Sequence, residues 1–208
     1  MTYVLQLNAD YTPMKVIRWE RAVEMMLDQK VTLVSACGGR FVRSPSLLIP
    51  WPAVVALRRF SRINGKIGYS GRNVAARDAW ICGYCGRRPT HPDGRIDHAE
   101  LTLDHVVPRA QAREGKVWLP WARRWAPVSC WENAITACRA CNARKADRTP
   151  AQANMTLRVV PRVPTQADAL RIALARFPDL PEEWAPWLPA EPRVVLHEAP
   201  LEKISFGG

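Results

Sequence analysis

The sequence predicts an α+β protein, in which a small mixed lobe precedes a core fastened by cysteines. Apolar residues alternate with polar ones at both strand and helix spacing in the first half of the chain. Two Cys-x-x-Cys pairs, Cys82/Cys85 and Cys138/Cys141, enclose a short apolar strand that ends on Asp104-His105. With 208 residues and a hydrophobic fraction of 48%, the chain can bury a core in one large domain or two small ones.

The amino-terminal lobe is expected to span residues 1–72. Its pattern predicts, in order, a strand over 3–7, an amphipathic helix over Trp19–Gln29, a strand over Val31–Ala36, a turn at Gly38-Gly39, a short strand at Phe41-Val42, an extended segment over 47–49 and a helix over Pro52–Phe60. The first helix should bury Ala22, Val23, Met26 and Leu27. The second helix is indicated by a proline at its early position.

The second lobe is expected to span 73–155, and a carboxy-terminal helix with a Pro- and Trp-rich extension to span 156–208. Leu101-Thr102-Leu103 should be the strand that carries Asp104-His105. Further helices are predicted over 139–146, from the Thr149-Pro150 cap onward, and from Thr165 to Phe177. A basic insert over 109–127 contains Trp118, Trp121 and Trp125, for which core packing is favoured over base stacking.

The charge balance favours a polyanionic partner. Thirty Lys and Arg against 19 Asp and Glu give a formal charge of +11 and a pI near 9.9. A basic protein without a nucleic-acid role is the alternative, and a membrane surface fits less well because no basic amphipathic helix has a broad apolar face. The run Arg58, Arg59, Arg62, Lys66, Arg72 and Arg77 is compatible with phosphate contact or with a solvated face. With neither a leader nor a membrane span in the sequence, a cytoplasmic location is expected.

The two cysteine pairs predict a structural zinc site. Each Cys-x-x-Cys aims two thiolates from one tight turn at one point, and Cys82, Cys85, Cys138 and Cys141 together complete a tetrahedral shell. A redox dithiol would explain one pair but not both. His91 and His98 are possible substitute ligands, although loop positions are favoured for them.

These motifs resemble, in residue type and in order, the zinc-containing HNH endonucleases of bacteria and phages. The resemblance covers residues 77–155 and rests on Cys82-x-x-Cys85, Leu103-Asp104-His105-Val106-Val107-Pro108, Trp131-Glu132-Asn133, Cys138-x-x-Cys141-Asn142-x-Arg144-Lys145 and Arg148-Thr149-Pro150. The amino-terminal lobe also looks like the segment that precedes this domain in many members. The resemblance implies a treble-clef-like ββα-metal core.

The resemblance also implies the roles of the site residues. His105 would be the general base, Asp104 a metal-binding carboxylate, and Asn133 the residue that orients the catalytic loop. Asn142 occupies the last motif position, where a histidine often binds the metal. Its hard amide oxygen favours Mg²⁺ or Mn²⁺ over softer metals, so the cysteine-bound zinc is expected to be non-catalytic. The cations expected to contact nucleic acid are Arg144, Lys145, Arg109, Arg148, Arg72 and Arg77.

The expected activity is metal-dependent hydrolysis of DNA, as nicks or double-strand cuts, because a histidine with a pKa of about 6.5 can accept a proton from water at neutral pH. The partner is expected to be double-stranded DNA, with a homodimer or a phage or restriction protein as a possible further partner. The alternative function is a zinc-stabilised nucleic-acid-binding module without catalysis, and a dithiol redox protein is a weaker alternative. RNA stays open as a substrate. Ala146 stands where these proteins commonly have glycine, at a cost of roughly 1 kcal/mol if the backbone there is left-handed.

Overall fold

The structure, a computed structural model, describes residues 2–62, 67–177 and 179–188. Lys66 and the part of the Pro- and Trp-rich extension that follows residue 188 lie outside the described residues. The strands are β1 (Tyr3–Leu7), β2 (Pro13–Arg18), β3 (Val31–Ser44), β4 (Leu47–Leu57), β5 (Leu101–His105), β6 (Lys116–Leu119), β7 (Arg124–Pro127) and β8 (Ala134–Cys138). The helices are α1 (Trp19–Leu27), α2 (Gly71–Arg77), α3 (Arg139–Lys145) and α4 (Gln166–Leu174). The chain is therefore a mixture of α and β structure with small sheets, as predicted.

The chain divides into two compact units. Of the described residues, the first comprises 2–62, 166–177 and 179–188, and the second comprises 67–165. The helix that the sequence assigns to the carboxy-terminal segment, α4, thus packs within the first unit.

The first unit is a four-stranded sheet covered by helices on both faces. The strand order is β2-β1-β4-β3, with β1 parallel to β4 and the other pairs antiparallel. Val4 and Val55 pack with α1 on one face. Leu5 and Val54 pack with α4 and with Trp184 on the other, where the Trp184 indole nitrogen donates to the Ala53 carbonyl at 2.9 Å. Alternation along β1 and β4 thereby supplies apolar side chains to two layers.

Four sequence predictions for local structure are wrong. The turn expected at Gly38-Gly39 lies inside β3, which continues from Val31 to Ser44. Residues 52–57 belong to β4 and not to a helix, since their apolar run is buried on both faces of a sheet. No α-helix starts at the predicted Thr149-Pro150 cap, after which the described chain forms turns over 150–154. Leu27, expected to face inward on α1, is exposed, and Met25 takes the buried position.

The second unit is built on the antiparallel pair β5 and β8, and α3 begins at the residue after β8. The register pairs Leu101 with Cys138 at one end and His105 with Ala134 at the other. Helix α2 packs on both strands and begins at Ser70, whose hydroxyl accepts from the Asn73 amide at 3.2 Å. The insert between His105 and Asn133 forms a second antiparallel pair, β6 and β7.

Candidate metal and catalytic site

The four paired cysteines converge in the second unit. Their sulfur atoms all lie within 4.8 Å of one another, and Cys85 Sγ lies 3.9 Å from Cys138 Sγ. Four thiolates around one zinc, each at a Zn–S distance of about 2.3 Å, would be separated by about 3.8 Å. Both the donor set and the spacing therefore fit a tetrahedral Zn²⁺ ion.

The first cysteine pair is a tight turn bonded to β8. The Cys82 amide donates to the Arg87 carbonyl at 2.9 Å, and the Gly86 amide, at a positive φ of 75°, returns to the Cys82 carbonyl at 2.9 Å. The Gly83 amide donates to the Thr136 carbonyl at 2.8 Å. Two residues beyond Thr136, the second pair starts at the end of β8 and continues into α3. The turn and the strand end thus hold both pairs at fixed positions.

Asp104 lies at a buried junction of three elements. Its carboxylate accepts a short hydrogen bond from the Tyr84 hydroxyl and contacts the Lys145 ammonium at 3.2 Å through Oδ1 and at 3.1 Å through Oδ2. Lys145 also donates to the His105 carbonyl at 2.8 Å. Burial lowers the pKa of Lys145, and the negative charge of Asp104 opposes that shift. A carboxylate has about four acceptor positions, so this network leaves capacity on Oδ1.

His105 follows at the end of β5 with its ring half-buried. Its Nε2 lies 3.2 Å from Ser129 Oγ. Burial, reinforced by the positive charges of Arg109 and Lys145, lowers the pKa of His105, while Asp104 acts in the opposite direction. A lowered pKa leaves the imidazole neutral at pH 7, which is the form that accepts a proton.

Asn133 fastens the segment that follows His105. Its side chain is fully buried, Oδ1 accepts from the Val107 amide at 2.9 Å, and Nδ2 donates to the carbonyls of Val107 and Val128, each at 2.9 Å. A single amide therefore joins the start and the end of the 107–128 segment. The segment's position relative to β5 and β8 is fixed by this clamp.

Asn142 lies on α3, three residues before Lys145, and is half-buried. Positions three apart share a face of a helix, so Asn142 is on the α3 face that carries Lys145 towards Asp104. Within the described part of the chain, the side-chain amide of Asn142 has no hydrogen-bond partner. Asp104 and Asn142 thus supply hard oxygen donors of the kind that bind Mg²⁺ or Mn²⁺ together with water and phosphate oxygens.

The structure does not support two of the six cations named as nucleic-acid contacts. Lys145 is fully buried against Asp104. Arg77 is also buried, paired with Asp78 at 2.7 Å, and donates to the backbone carbonyls of Trp131, Ala134 and Arg162. Both side chains direct their donors to protein acceptors and have no surface for a phosphate.

The other four cations are exposed. Arg109 lies near His105, and Arg144 points outward from α3. Arg148 folds back on the end of α3 and donates to the Arg144 carbonyl at 2.6 Å, and Arg72 lies on α2.

Tyr84 and Ser129 are functional candidates that the sequence reasoning missed. Tyr84 lies between Cys82 and Cys85, where the sequence indicates only a turn residue, and its partner Asp104 is 20 positions away. Ser129 lies 24 positions after His105, and no local pattern joins the two.

Residues 4–65 match the sequence profile of the HNH endonuclease-associated N-terminal domain. The match covers 62 of the 208 residues and ends before the first cysteine pair. It relates the chain to HNH endonucleases through the lobe that precedes the candidate site. No curated protein and no solved structure shows a significant match to the chain.

Among the described residues, no helix is long and apolar enough to cross a bilayer.

Proposed function

We propose that this protein is a metal-dependent DNA endonuclease of the HNH type, with a ββα-metal core formed by β5, β8 and α3. The observation that carries the proposal is the position of His105. Its half-buried imidazole, with a lowered pKa, ends a strand beside a segment that the fully buried Asn133 clamps in place. The match of residues 4–65 to a domain associated with HNH endonucleases supports the same assignment independently.

In this proposal His105 removes the proton from the attacking water, and Ser129 holds the ring through its hydroxyl. Asp104 and Asn142 would hold a Mg²⁺ or Mn²⁺ ion, which when bound would offset negative charge on the phosphate oxygens and on the leaving 3′ oxygen. Asn133 acts by positioning the segment after His105. Exposed cations, Arg109 and Arg144 first among them, bind backbone phosphates and keep the DNA in register.

The four cysteines hold a structural zinc that fixes β5, β8 and α3 relative to one another, in a reducing compartment such as the cytoplasm. Double-stranded DNA is the proposed substrate. One site of this kind cuts one strand, so a double-strand cut requires a second copy of the chain or a second encounter. A phage or restriction protein is a further proposed partner.

The test is conversion of supercoiled plasmid to nicked or linear DNA in Mg²⁺ or Mn²⁺. We expect His105→Ala to abolish conversion and His91→Ala, a change at an exposed loop histidine, to leave it intact. Equal conversion by His105→Ala and the unaltered chain would remove His105 as the base. Activity with Zn²⁺ alone and none with Mg²⁺ would contradict the metal assignment.

A zinc-stabilised nucleic-acid-binding module without catalysis is the second candidate. It is favoured by one observation, namely that Tyr84 and Lys145 already satisfy much of the Asp104 carboxylate without a metal. This alternative predicts salt-dependent DNA binding and no strand cleavage with any divalent ion.

A further inference from the structure

The basic insert after His105 forms a rigid hairpin attached to the candidate site. β6 and β7 place Val117, Leu119 and Ala126 inward, where they are fully buried against Val107, two residues beyond His105. A tight turn leads into β6, closed by reciprocal backbone hydrogen bonds between Arg113 and Lys116 at 2.8 and 2.9 Å. The two central turn residues both have positive φ, as a type I′ turn requires.

The outward face of this hairpin carries two tryptophans. Trp118 and Trp125 are direct cross-strand partners with ring centroids 6.1 Å apart, and they are 41% and 48% exposed. The expectation of core packing holds only for Trp121, whose half-buried indole donates to the Glu132 carbonyl at 2.7 Å. Single exposed apolar residues are ordinary, but two adjoining indoles on one face indicate a binding surface.

The charge around the pair identifies the kind of partner. Arg113, Lys116 and Arg123 are exposed, and among the described residues no acid forms an ion pair with any of them. Arg124 is held by Glu132. Cations beside exposed aromatic rings are the combination that binds nucleic-acid strands, because the cations take phosphates while the rings stack on bases.

The hairpin is also joined to the proposed catalytic histidine. The chain leaving β7 reaches Val128, whose carbonyl accepts from Asn133, and Ser129, whose hydroxyl contacts His105. Trp125 is four residues from Ser129, a span of at most about 14 Å, so a strand lying across the tryptophans can extend to the proposed point of cleavage.

We infer that the outward face of the β6–β7 hairpin binds unpaired DNA bases next to the cleaved bond, so that the enzyme prefers DNA with a single-stranded segment, such as a flap, gap or bubble. The inference rests on the proposed function. In an intact duplex both faces of a base are covered by its neighbours, and an indole can stack only on a base that has left the stack. The two rings meet at 61°, so they present faces to separate bases and do not enclose a single one.

The experiment measures binding in the absence of cleavage. Fluorescence anisotropy with no divalent ion present gives the dissociation constants for a labelled duplex, a single strand and a flapped duplex. The variants are Trp118→Ala, Trp125→Ala, both tryptophans to Phe, and Phe41→Ala as a control, because Phe41 is a similarly exposed aromatic (43%) on β3. Zinc content and thermal unfolding check that each variant is folded.

We expect each tryptophan-to-alanine change to weaken binding to the single strand and the flap by about tenfold, with duplex binding changed by less than about twofold. The double Phe variant should retain most of the affinity, and Phe41→Ala all of it. Unchanged affinity for every DNA, or an equal loss for duplex and single strand, overturns the inference. If DNA binding is unchanged and a dimer is lost in size-exclusion chromatography, the face is a protein contact and the inference is wrong.

The proposed function is tested by different results. If the unaltered chain binds no DNA, the proposed function fails; if it binds and cuts DNA while the tryptophan variants behave like it, only the inference fails.

Discussion

Replacing Lys145 with methionine tests the buried ion pair between Lys145 and Asp104. Methionine replaces the four-atom aliphatic stem of lysine and removes the ammonium group, so it leaves Asp104 buried without its counter-charge. Three contacts are lost, two to the Asp104 carboxylate at 3.2 and 3.1 Å and one to the His105 carbonyl at 2.8 Å.

The expected loss follows from burial. Lys145 is fully buried, and the Asp104 side chain is 8% exposed. Removal of one partner from a buried ion pair costs about 3–5 kcal/mol. Because the Tyr84 hydroxyl still donates to the same carboxylate, we expect the lower end, about 3 kcal/mol. Asp104→Asn alone leaves the lysine charge unpaired and should cost a similar amount.

The assay is a double-mutant cycle. The free energy of unfolding is measured by urea titration of the zinc-bound protein, and hydrogen exchange of the β5 and β8 amides localises the loss to the second unit. The double variant Asp104→Asn, Lys145→Met contains no unpaired buried charge, so its loss should be smaller than the sum of the single losses by about 2 kcal/mol. Arg144→Met, at the exposed neighbouring position, should change stability by less than about 0.5 kcal/mol. A Lys145→Met loss below about 1 kcal/mol, or strictly additive losses, would refute the reasoning.

Three other predictions concern strain, metal and charge. Ala146 has φ 50° and ψ −132°, a backbone conformation that favours glycine, so Ala146→Gly should raise the free energy of unfolding by about 1 kcal/mol. Ala143→Gly, inside α3, should lower it by about 1 kcal/mol. Changes of the same sign in urea titrations of the two variants would contradict this prediction. Cys138→Ser should bring the bound zinc, measured by mass spectrometry, below one ion per chain and broaden the unfolding of the second unit, and full zinc retention would contradict the four-cysteine site. Arg109→Gln should reduce the slope of log DNA affinity against log salt concentration by about one, because Arg109 is exposed. Arg77→Lys should leave that slope unchanged and lower the free energy of unfolding by about 2 kcal/mol, because Arg77 is buried. A change of slope for Arg77→Lys would mean that Arg77 contacts phosphate.

The structure agrees with the sequence where a local pattern decides the conformation. β1 occupies the predicted residues 3–7, and α1 follows the apolar spacing that begins at Trp19. Each cysteine pair spans four consecutive residues and could be recognised locally, and the two pairs meet as expected because the Gly83 amide joins the first pair to Thr136 on the strand that carries the second. The buried amide of Asn133 contacts the 107–128 segment at both ends, and its role in orienting a catalytic loop stays a prediction. The ββα-metal assignment itself stays a prediction.

The helix expected over 52–60 shows how tertiary pairing overrides a local signal. Pro52 suggests a helix start, but Pro52 and Pro50 pair only with β3, at positions where the register of β3 and β4 shifts. β4 gains its second neighbour, β1, only from Val54 onward, so neither proline interrupts a ladder that has strands on both sides. Residues 54–56 form a strand because they pair with β1, and a pattern of neighbouring residues carries no information about that distant strand.

Charge, similarly, can be read from a sequence, whereas burial of a charge cannot. Arg77 and Lys145 occur in basic stretches that suggested phosphate contacts, yet each is used inside the second unit. Arg77 donates to carbonyls up to 85 positions away in the sequence. Lys145 pairs with the carboxylate of Asp104, which lies 41 positions away. Such pairings exist only after the fold has formed.

The register of β5 and β8 places the two proposed metal sites apart. Cys138 pairs with Leu101 at one end of the ladder, and His105 lies four residues along at the other end, a distance of about 14 Å at 3.4 Å per residue. A zinc ion held by thiolates at the first end would lie too far away to bind the water molecule that His105 deprotonates in the proposed function. Loss of zinc should therefore impair cleavage only by releasing β5, β8 and α3 from one another. Loss of Asp104 or Asn142, by contrast, should impair cleavage in a chain that still holds its zinc.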